Sequence, residues 1–313
     1  MTVAEKILAR ASGLSRVSAG AVVEPAVDLA MSHENSALVM NQFTEIFEGT
    51  GLEARVWDPA KIAIMLDHRV PAETSKTATN QKKVREFVAA QGIAKFHDVS
   101  SDGGGICHQI LPESGYVRPG MVVAGADSHT SSHGALGAMA IGIGATDMAA
   151  VWALGRMVNV EVPATIKVVV DGEFRPGVGP KDLILYLIGM LSAEGANFRV
   201  IEFHGRAVKS MSVSGRLTIC NMSVEAGATC GIVPADEETF RYLREEAGVV
   251  EPVESVPPDV DAVYEEIIEI DVSRLEPQVA KPHTVDNVAS VGEVEGVKVD
   301  QVVIGSCTNG RLD

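Results

Sequence analysis

The stretch Met121-Val122-Val123-Ala124-Gly125-Ala126-Asp127-Ser128-His129-Thr130 decides how the rest of the sequence is read. A short apolar run, with valines at its centre, has the texture of a strand buried on both faces. It breaks at a glycine and then delivers an aspartate, a hydroxyl and an imidazole together. The same arrangement occurs earlier, where residues 61–66 (KIAIML) run into Asp67-His68. Buried strands with ionisable residues gathered at their carboxyl ends belong to open α/β sheets, whose ligands sit beyond those ends.

Working outward, helices and strands alternate. Thr2-x-x-Glu5 is a capping box opening a helix that ends near Gly13. A polar helix is expected over 80–91, closed by Gly92. The Gly/Ala-rich segment 134–150 reads as a helix packed very close to a neighbour. Beyond Pro163 the texture changes: a strand over 166–170, a helix over 181–193 after Pro180, an acidic helix over 236–247 and a strand over 264–272. Residues 251–261, rich in proline and acid, read as a surface connection. The fold class is α/β, with a first domain over 1–163, a second over 164–284 and the start of a third over 285–313. That third piece holds an expected strand, 301–304, feeding Gly305-Ser306-Cys307-Thr308-Asn309-Gly310-Arg311. One strand cannot bury a core, so the third domain is expected to be incomplete and the sequence truncated at its carboxyl end.

Composition narrows the function classes. A net charge of −16 over 313 residues argues against gripping a phosphate backbone, so no nucleic-acid partner is expected. The opening residues MTVAEKILARAS lack the apolar run of a secretion signal, and no segment is long and apolar enough for a bilayer. Four cysteines, Cys107, Cys220, Cys230 and Cys307, show no disulfide spacing, which suits a reducing cytoplasm.

Several clusters carry chemistry. In Asp67-His68 a carboxylate beside an imidazole can hold it charged as a proton donor; a surface loop pair is the plain alternative. Asp127, Ser128 and His129, followed by His133, form a denser group, which otherwise reads as a turn built from Asx and hydroxyl hydrogen bonds. His129-x-x-x-His133 has zinc-site spacing, but Thr130 stands where HExxH motifs carry glutamate. Gly103-Gly104-Gly105-Ile106-Cys107-His108-Gln109 sets an imidazole after a flexible run where backbone can approach a ligand. Gly142-Ile143-Gly144-Ala145-Thr146-Asp147 matches a dinucleotide fingerprint only in part, which argues against nucleotide. Cys220-Asn221-Met222-Ser223-Val224-Glu225 can place Asn221 and Glu225 on one helical face. Cys307, at a strand–helix turn, is open as a nucleophile, a ligand or neither.

In this order the segments resemble the aconitase superfamily, closest to large subunits of the two-subunit, archaeal-type 3-isopropylmalate dehydratase and homoaconitase branch. The resemblance rests on Asp67-His68-x-Val70-Pro71, Cys107-His108-Gln109, Gly125-x-Asp127-Ser128-His129-Thr130, Cys220-Asn221-Met222-x-x-Glu225-x-Gly227 and Gly305-Ser306-Cys307-Thr308-Asn309, and it runs through essentially the whole sequence. It implies an aconitase-like, multi-domain, three-layer α/β/α fold. It also implies a hydro-lyase that removes and re-adds water on a hydroxy-di- or tricarboxylate, as in leucine biosynthesis.

By the same resemblance a 4Fe-4S cluster is held by three cysteines. Here Cys307 matches the first, and the other two, a C-x-x-C, have no match in this sequence, so the cluster is expected to be absent or incomplete. His68 with Asp67 would protonate the leaving hydroxyl, His108 would pair with Asp127, and His129 with Glu225. Ser128 and His33, in the segment His33-Glu34, would contact substrate; Asn221, Asn309 and Arg311 would line cluster and substrate. A small subunit, the swivelling domain, would supply the alkoxide base serine and select the substrate. The leading reading is therefore a 2-isopropylmalate isomerising large subunit, with homocitrate or homoaconitate as the alternative substrate. A catalytically incomplete, partner-binding fragment and a mononuclear metal hydrolase built on His68, His108, Asp127 and His129 are the competing readings.

Overall fold

The computed structural model describes residues 1–99 and 103–312, so the last residue of the expected third piece, Asp313, lies outside the described residues. Its first sheet has five parallel strands in the spatial order Lys95–His97, Ile62–Met65, Leu29–Ser32, Val122–Gly125, Met139–Gly142. Both strands of the opening pattern are there. Leu29–Ser32, Ile62–Met65 and Val122–Gly125 are buried along their whole length, as strands covered on both faces must be. Strand order runs outward from Leu29–Ser32 to one side and then reverses to Val122–Gly125 on the other. The ligand crevice of such a sheet opens where the order reverses.

The second sheet is also parallel, in the order Cys230–Ile232, Arg199–His204, Ala164–Asp171, Glu266–Asp271. The two sheets share one continuous apolar core. Their link is the 3-10 segment Ser128–Leu136, which runs from the first sheet to the second. Ser131 donates to the carbonyl of Cys220 at 2.9 Å, and the amide of Val233 donates to the carbonyl of Gly134 at 3.0 Å. A Cβ on Gly134 would lie 1.8 Å from the carbonyl oxygen of Gly231, so only glycine permits this approach.

Local signals placed most helices. Thr2 and Glu5 form the capping box of Val3–Ala11, and Gly92, in the left-handed region, closes Ser75–Gln91. Pro180–Leu191, Glu237–Glu245 and the strand Glu266–Asp271 lie where the sequence sets them.

Two expectations are corrected. The helix expected over 134–150 is the end of the 3-10 segment, the strand Met139–Gly142 and the helix Ala145–Leu154. Small residues there serve three different close packings, and their apolar run carries no period that separates them. The strand expected over 301–304 is not formed. Val302, Val303 and Ile304 are 75%, 82% and 88% exposed, because no neighbouring strand among the described residues offers them a ladder or a covered face. What precedes them is a small antiparallel ribbon, Gln278–Ala280 with Val288–Ser290. Among the described residues no helix is long and apolar enough to cross a membrane.

Candidate active site

The crevice at the reversal point is furnished by three strand ends. Leu29–Ser32 hands on to His33 and Glu34, Ile62–Met65 to Asp67 and His68, and Val122–Gly125 to Asp127, Ser128 and His129. Gly125 is needed for close approach: a Cβ there would lie 1.9 Å from the Thr130 hydroxyl, which donates to the Asp127 carbonyl at 2.6 Å. Asp127 caps the 3-10 segment by accepting the His129 amide at 2.8 Å, which fixes its carboxylate at the crevice.

Asp127 is the hub. Its Oδ1 meets His108 Nε2 at 2.8 Å, and its Oδ2 meets His68 Nε2 at 3.2 Å and His33 Nε2 at 3.8 Å. Asp67 lies on the other side of His68, 2.7 Å from its Nδ1, and accepts the amide of Cys107, the first residue of the helix Cys107–Glu113, at 2.6 Å. Glu34 accepts the amides of His68 and Arg69, each at 3.0 Å. The rings of His33 and His68 stack, with centroids 3.9 Å apart. His129 Nε2 meets Glu225 Oε1 at 3.2 Å across the junction of the two sheets.

Charge follows geometry. His68 is pushed up to about 10, first by its bond to Asp127 and then by Asp67, against the effect of burial. Burial pushes Asp127 upward, but the bonds from His108 and His68 hold it far below the carboxylate range. Burial also raises Asp67 and Glu34, and donors overcome it in both: His68 and the Cys107 amide lower Asp67, while His33 and the amides of Arg69 and His68 bring Glu34 to about 2. His129 is raised chiefly by Glu225. The crevice therefore presents protonated imidazoles pinned between ionised carboxylates, an arrangement that can deliver a proton to a leaving oxygen.

The other sequence-derived residues lie close by. Ser128 is exposed, with its hydroxyl 3.4 Å from His129 Nδ1. Asn221 is buried; its Nδ2 donates to Ser132 at 2.8 Å and faces the Cys307 sulfur at 3.4 Å, and its Oδ1 accepts the Thr308 hydroxyl at 2.9 Å. Asn309 accepts from Thr218 at 3.3 Å, and Arg311 donates to Gln109 at 2.8 Å.

Two residues have roles that the sequence does not state. Glu34 stands in the sequence only as part of a pocket segment, yet it anchors the backbone that carries His68. Spacing pairs His133 with His129 as metal ligands, but in a 3-10 segment residues four apart do not share a face. His129 turns to Glu225, while His133 is buried against His108 Nδ1 at 3.3 Å. The zinc-site spacing of that pair therefore does not turn the two rings to one partner.

Donor atoms of His33, Glu34, Asp67 and His68 do lie within 4.8 Å of one another, but both ring nitrogens of His68 are already engaged by carboxylates. A three-thiolate cluster is not completed by these residues either. Of the four cysteines only Cys307 is partly exposed; Cys107, Cys220 and Cys230 are buried, and burial raises each of these thiols, Cys230 to about 12.

Residues 5–296 match the model of the aconitase family (aconitate hydratase). A 3-isopropylmalate dehydratase large subunit from Methanopyrus kandleri is 52% identical over 313 residues, covering 100% of this chain and 72% of that protein. A protein named "Probable methanogen homoaconitase large subunit" from Methanothermobacter thermautotrophicus is 48% identical, covering 100% of this chain and 72% of its own. Among solved structures, aconitase X of Thermococcus kodakaraensis superposes with a TM-score of 0.45 at 17% identity, covering 86% of this chain and 62% of that one. With a family model matched along nearly its whole length and relatives at about half identity, the chain belongs to the aconitase family.

Proposed function

We propose that this protein is the large-subunit portion of a hydro-lyase that interconverts 2-isopropylmalate and 3-isopropylmalate, a step of leucine biosynthesis. The observation that carries the reading is the convergence of Asp67, His68, His108, Asp127, His129 and Glu225 on one crevice, through contacts between 2.7 and 3.2 Å. Homoaconitate is the second reading, favoured by the relative of that name at 48% identity.

The side chains divide the work. His68 holds two protons; Nδ1–H is tied to Asp67 at 2.7 Å, while Nε2–H, 3.2 Å from Asp127, is the looser one. That Nε2–H is the proton for the departing hydroxyl. Asp127 receives no proton itself but keeps His68 charged until transfer, and His129, charged beside Glu225, offers a second cation for a substrate carboxylate. The family's 4Fe-4S cluster supplies Lewis-acid polarisation of the hydroxyl when bound. Cys307 is the one matching ligand here, so the 313 residues alone are proposed to be inactive. The base serine and the substrate-selecting groups belong to a small-subunit partner.

The test is turnover of isopropylmalate and of homoaconitate by the cluster-loaded, full-length large subunit with its small subunit, followed by the absorbance of the unsaturated acid. Preference for isopropylmalate supports the reading, and preference for homoaconitate decides for the second. No turnover of either by an intact, partnered, cluster-bearing protein overturns both and leaves the partner-binding fragment.

A further inference from the structure

We propose that Asn35 is a positioning residue: its side chain ties the strand end that carries Asp127 to the turn that holds His68, and so sets the approach of these two residues across the crevice. The tie rests on hydrogen bonding alone; its consequence for proton delivery rests on the dehydratase reading.

Asn35 stands at the N-cap of the helix Ser36–Phe47. Asparagine is favoured there because its side-chain oxygen can accept an amide of the first helical turn. This one makes no cap bond. Its Oδ1 turns back to accept the His33 amide at 3.3 Å, and its Nδ2 donates to the Ala126 carbonyl at 2.6 Å. The two contacts agree on the amide's orientation, since a flipped side chain would set oxygen against carbonyl and NH2 against N–H. A residue that leaves its local task for a distant one is expected where function overrides local preference.

The distant task is to span the sheet. His68 and Asp127 follow strands that flank Leu29–Ser32 on either side, and strands two places apart lie about 9–10 Å from each other. The last rung on the Asp127 side runs from the Ala126 amide to the Met31 carbonyl at 2.9 Å. Among the described residues no backbone bond joins 67–69 to 126–128. The turn after the central strand bridges the gap with three consecutive side chains. The His33 ring stacks on His68 with centroids 3.9 Å apart, Glu34 accepts the amides of His68 and Arg69 at 3.0 Å, and Asn35 holds Ala126, the residue before Asp127.

The turn itself is firm. The His33 carbonyl accepts the Ser36 amide at 2.8 Å and the Ser36 hydroxyl at 2.5 Å, and that hydroxyl lies 2.7 Å from the hydroxyl of Ser32 in the strand. Without Asn35 the turn keeps its grip on His68 and loses its grip on the strand end of Asp127. The charged and titratable groups around His68 are Asp67 and Asp127 at its two ring nitrogens, His33 on its face, Glu34 on its backbone amide and His129 farther off. Of the two carboxylate contacts, the one to Asp127 spans the sheet, and it is the one the tie controls.

The experiment compares Asn35→Ser and Asn35→Ala with wild type. Serine caps a helix about as well as asparagine but is too short to make both bonds, so it separates capping from tying. An opposite charge at this range moves a pKa by about 1–3 units, so a loosened contact should lower the pH at which His68 deprotonates by about one unit in both variants. Nitrogen-15 NMR of the ring in the 313-residue protein reads this. In the full-length, partnered protein kcat should fall severalfold with KM near wild type. A His68 titration in Asn35→Ser that matches wild type would leave Asn35 a cap and overturn the proposal. Should both variants fail to fold, the wild type decides: the Asn35 side-chain amide should exchange its hydrogens more slowly than that of exposed Asn159, and equal exchange overturns the tie. If the full-length protein turns over neither substrate, the dehydratase reading falls while the titration still judges the tie.

Discussion

Nε2 of His68 lies 3.2 Å from Oδ2 of Asp127, although the two residues follow different strands on opposite sides of Leu29–Ser32. The sequence pairs His68 with its neighbour Asp67. The fold gives it a second carboxylate, and the bonds to Asp127 and to Asp67 both raise the ring. Asp127→Asn and Asp67→Asn should therefore each lower the pH at which His68 deprotonates, measured by NMR titration of the ring. No change in Asp127→Asn would leave His68 to its sequence neighbour alone.

The same pair sets a pH dependence of stability. A histidine raised from 6.5 to about 10 in the folded state favours folding fully below about 6.5, and that contribution fades as pH rises toward 10. Urea midpoints should fall over this window in the wild type and fall less steeply in Asp127→Asn. Because the ring is partly exposed, water screens the effect and the slope should be modest. Identical slopes in both proteins would remove His68 as its source.

Thiol chemistry tests the crevice from the other side. Cys307 is the partly exposed cysteine, and the other three are buried with raised thiols. Native protein should titrate one fast thiol per molecule, with the remainder appearing on unfolding. Anaerobic reconstitution of these 313 residues should give fewer than the full complement of irons that defines the family's cluster. A full complement with an active-cluster EPR signal would end the idea that two ligands are lacking.

Gly134→Ala probes the seam between the sheets. The new methyl would lie 1.8 Å from the Gly231 carbonyl oxygen and 3.2 Å from the Cys230 sulfur, so backbone must move apart. Overpacking of this kind costs about 1–3 kcal/mol, and a backbone clash falls at the upper end. Chemical denaturation measures it; a loss under about 0.5 kcal/mol, the range of neutral surface changes, would show a seam that yields easily.

These cases show what the sequence exposes and what it hides. Asp67-His68 and Asp127-Ser128-His129 are legible because each follows an uninterrupted apolar strand, and strand ends are where parallel sheets place ligands. Leu29–Ser32 is not legible as a strand, being short and followed by polar residues, so His33 enters by resemblance alone and Glu34 has no task until the fold supplies one. The partners of Asp127 come from three separate segments, and no local pattern states which strands are neighbours. His133 is obscured because its spacing suggests an α-helical period, whereas the segment is 3-10. The run 301–304 carries a strand pattern and no partner strand among the described residues, and pairing depends on the partner.

Replacing His68 by glutamine in the full-length, partnered protein should lower the dehydration rate far more than it weakens substrate binding. Its proton is transferred only as the carbon–oxygen bond breaks, so its contribution belongs to the transition state and appears in kcat. General-acid assistance is worth on the order of 10²–10⁴ in rate. Some activity should survive, because hydroxyl polarisation by the family's cluster does not pass through this ring. Asp67→Asn should be milder than His68→Gln, since it removes one orienting charge while Asp127, 3.2 Å away, still holds the ring protonated. Asp127→Asn should cost more than Asp67→Asn, because it takes away one of the two carboxylates on His68 and also the anchor of His108 at 2.8 Å. If His68 merely finishes a strand, the glutamine variant should instead lose stability and turn over normally per folded molecule. A His68→Gln rate within about twofold of wild type per intact cluster would decide for that plainer role, since general-acid loss costs far more.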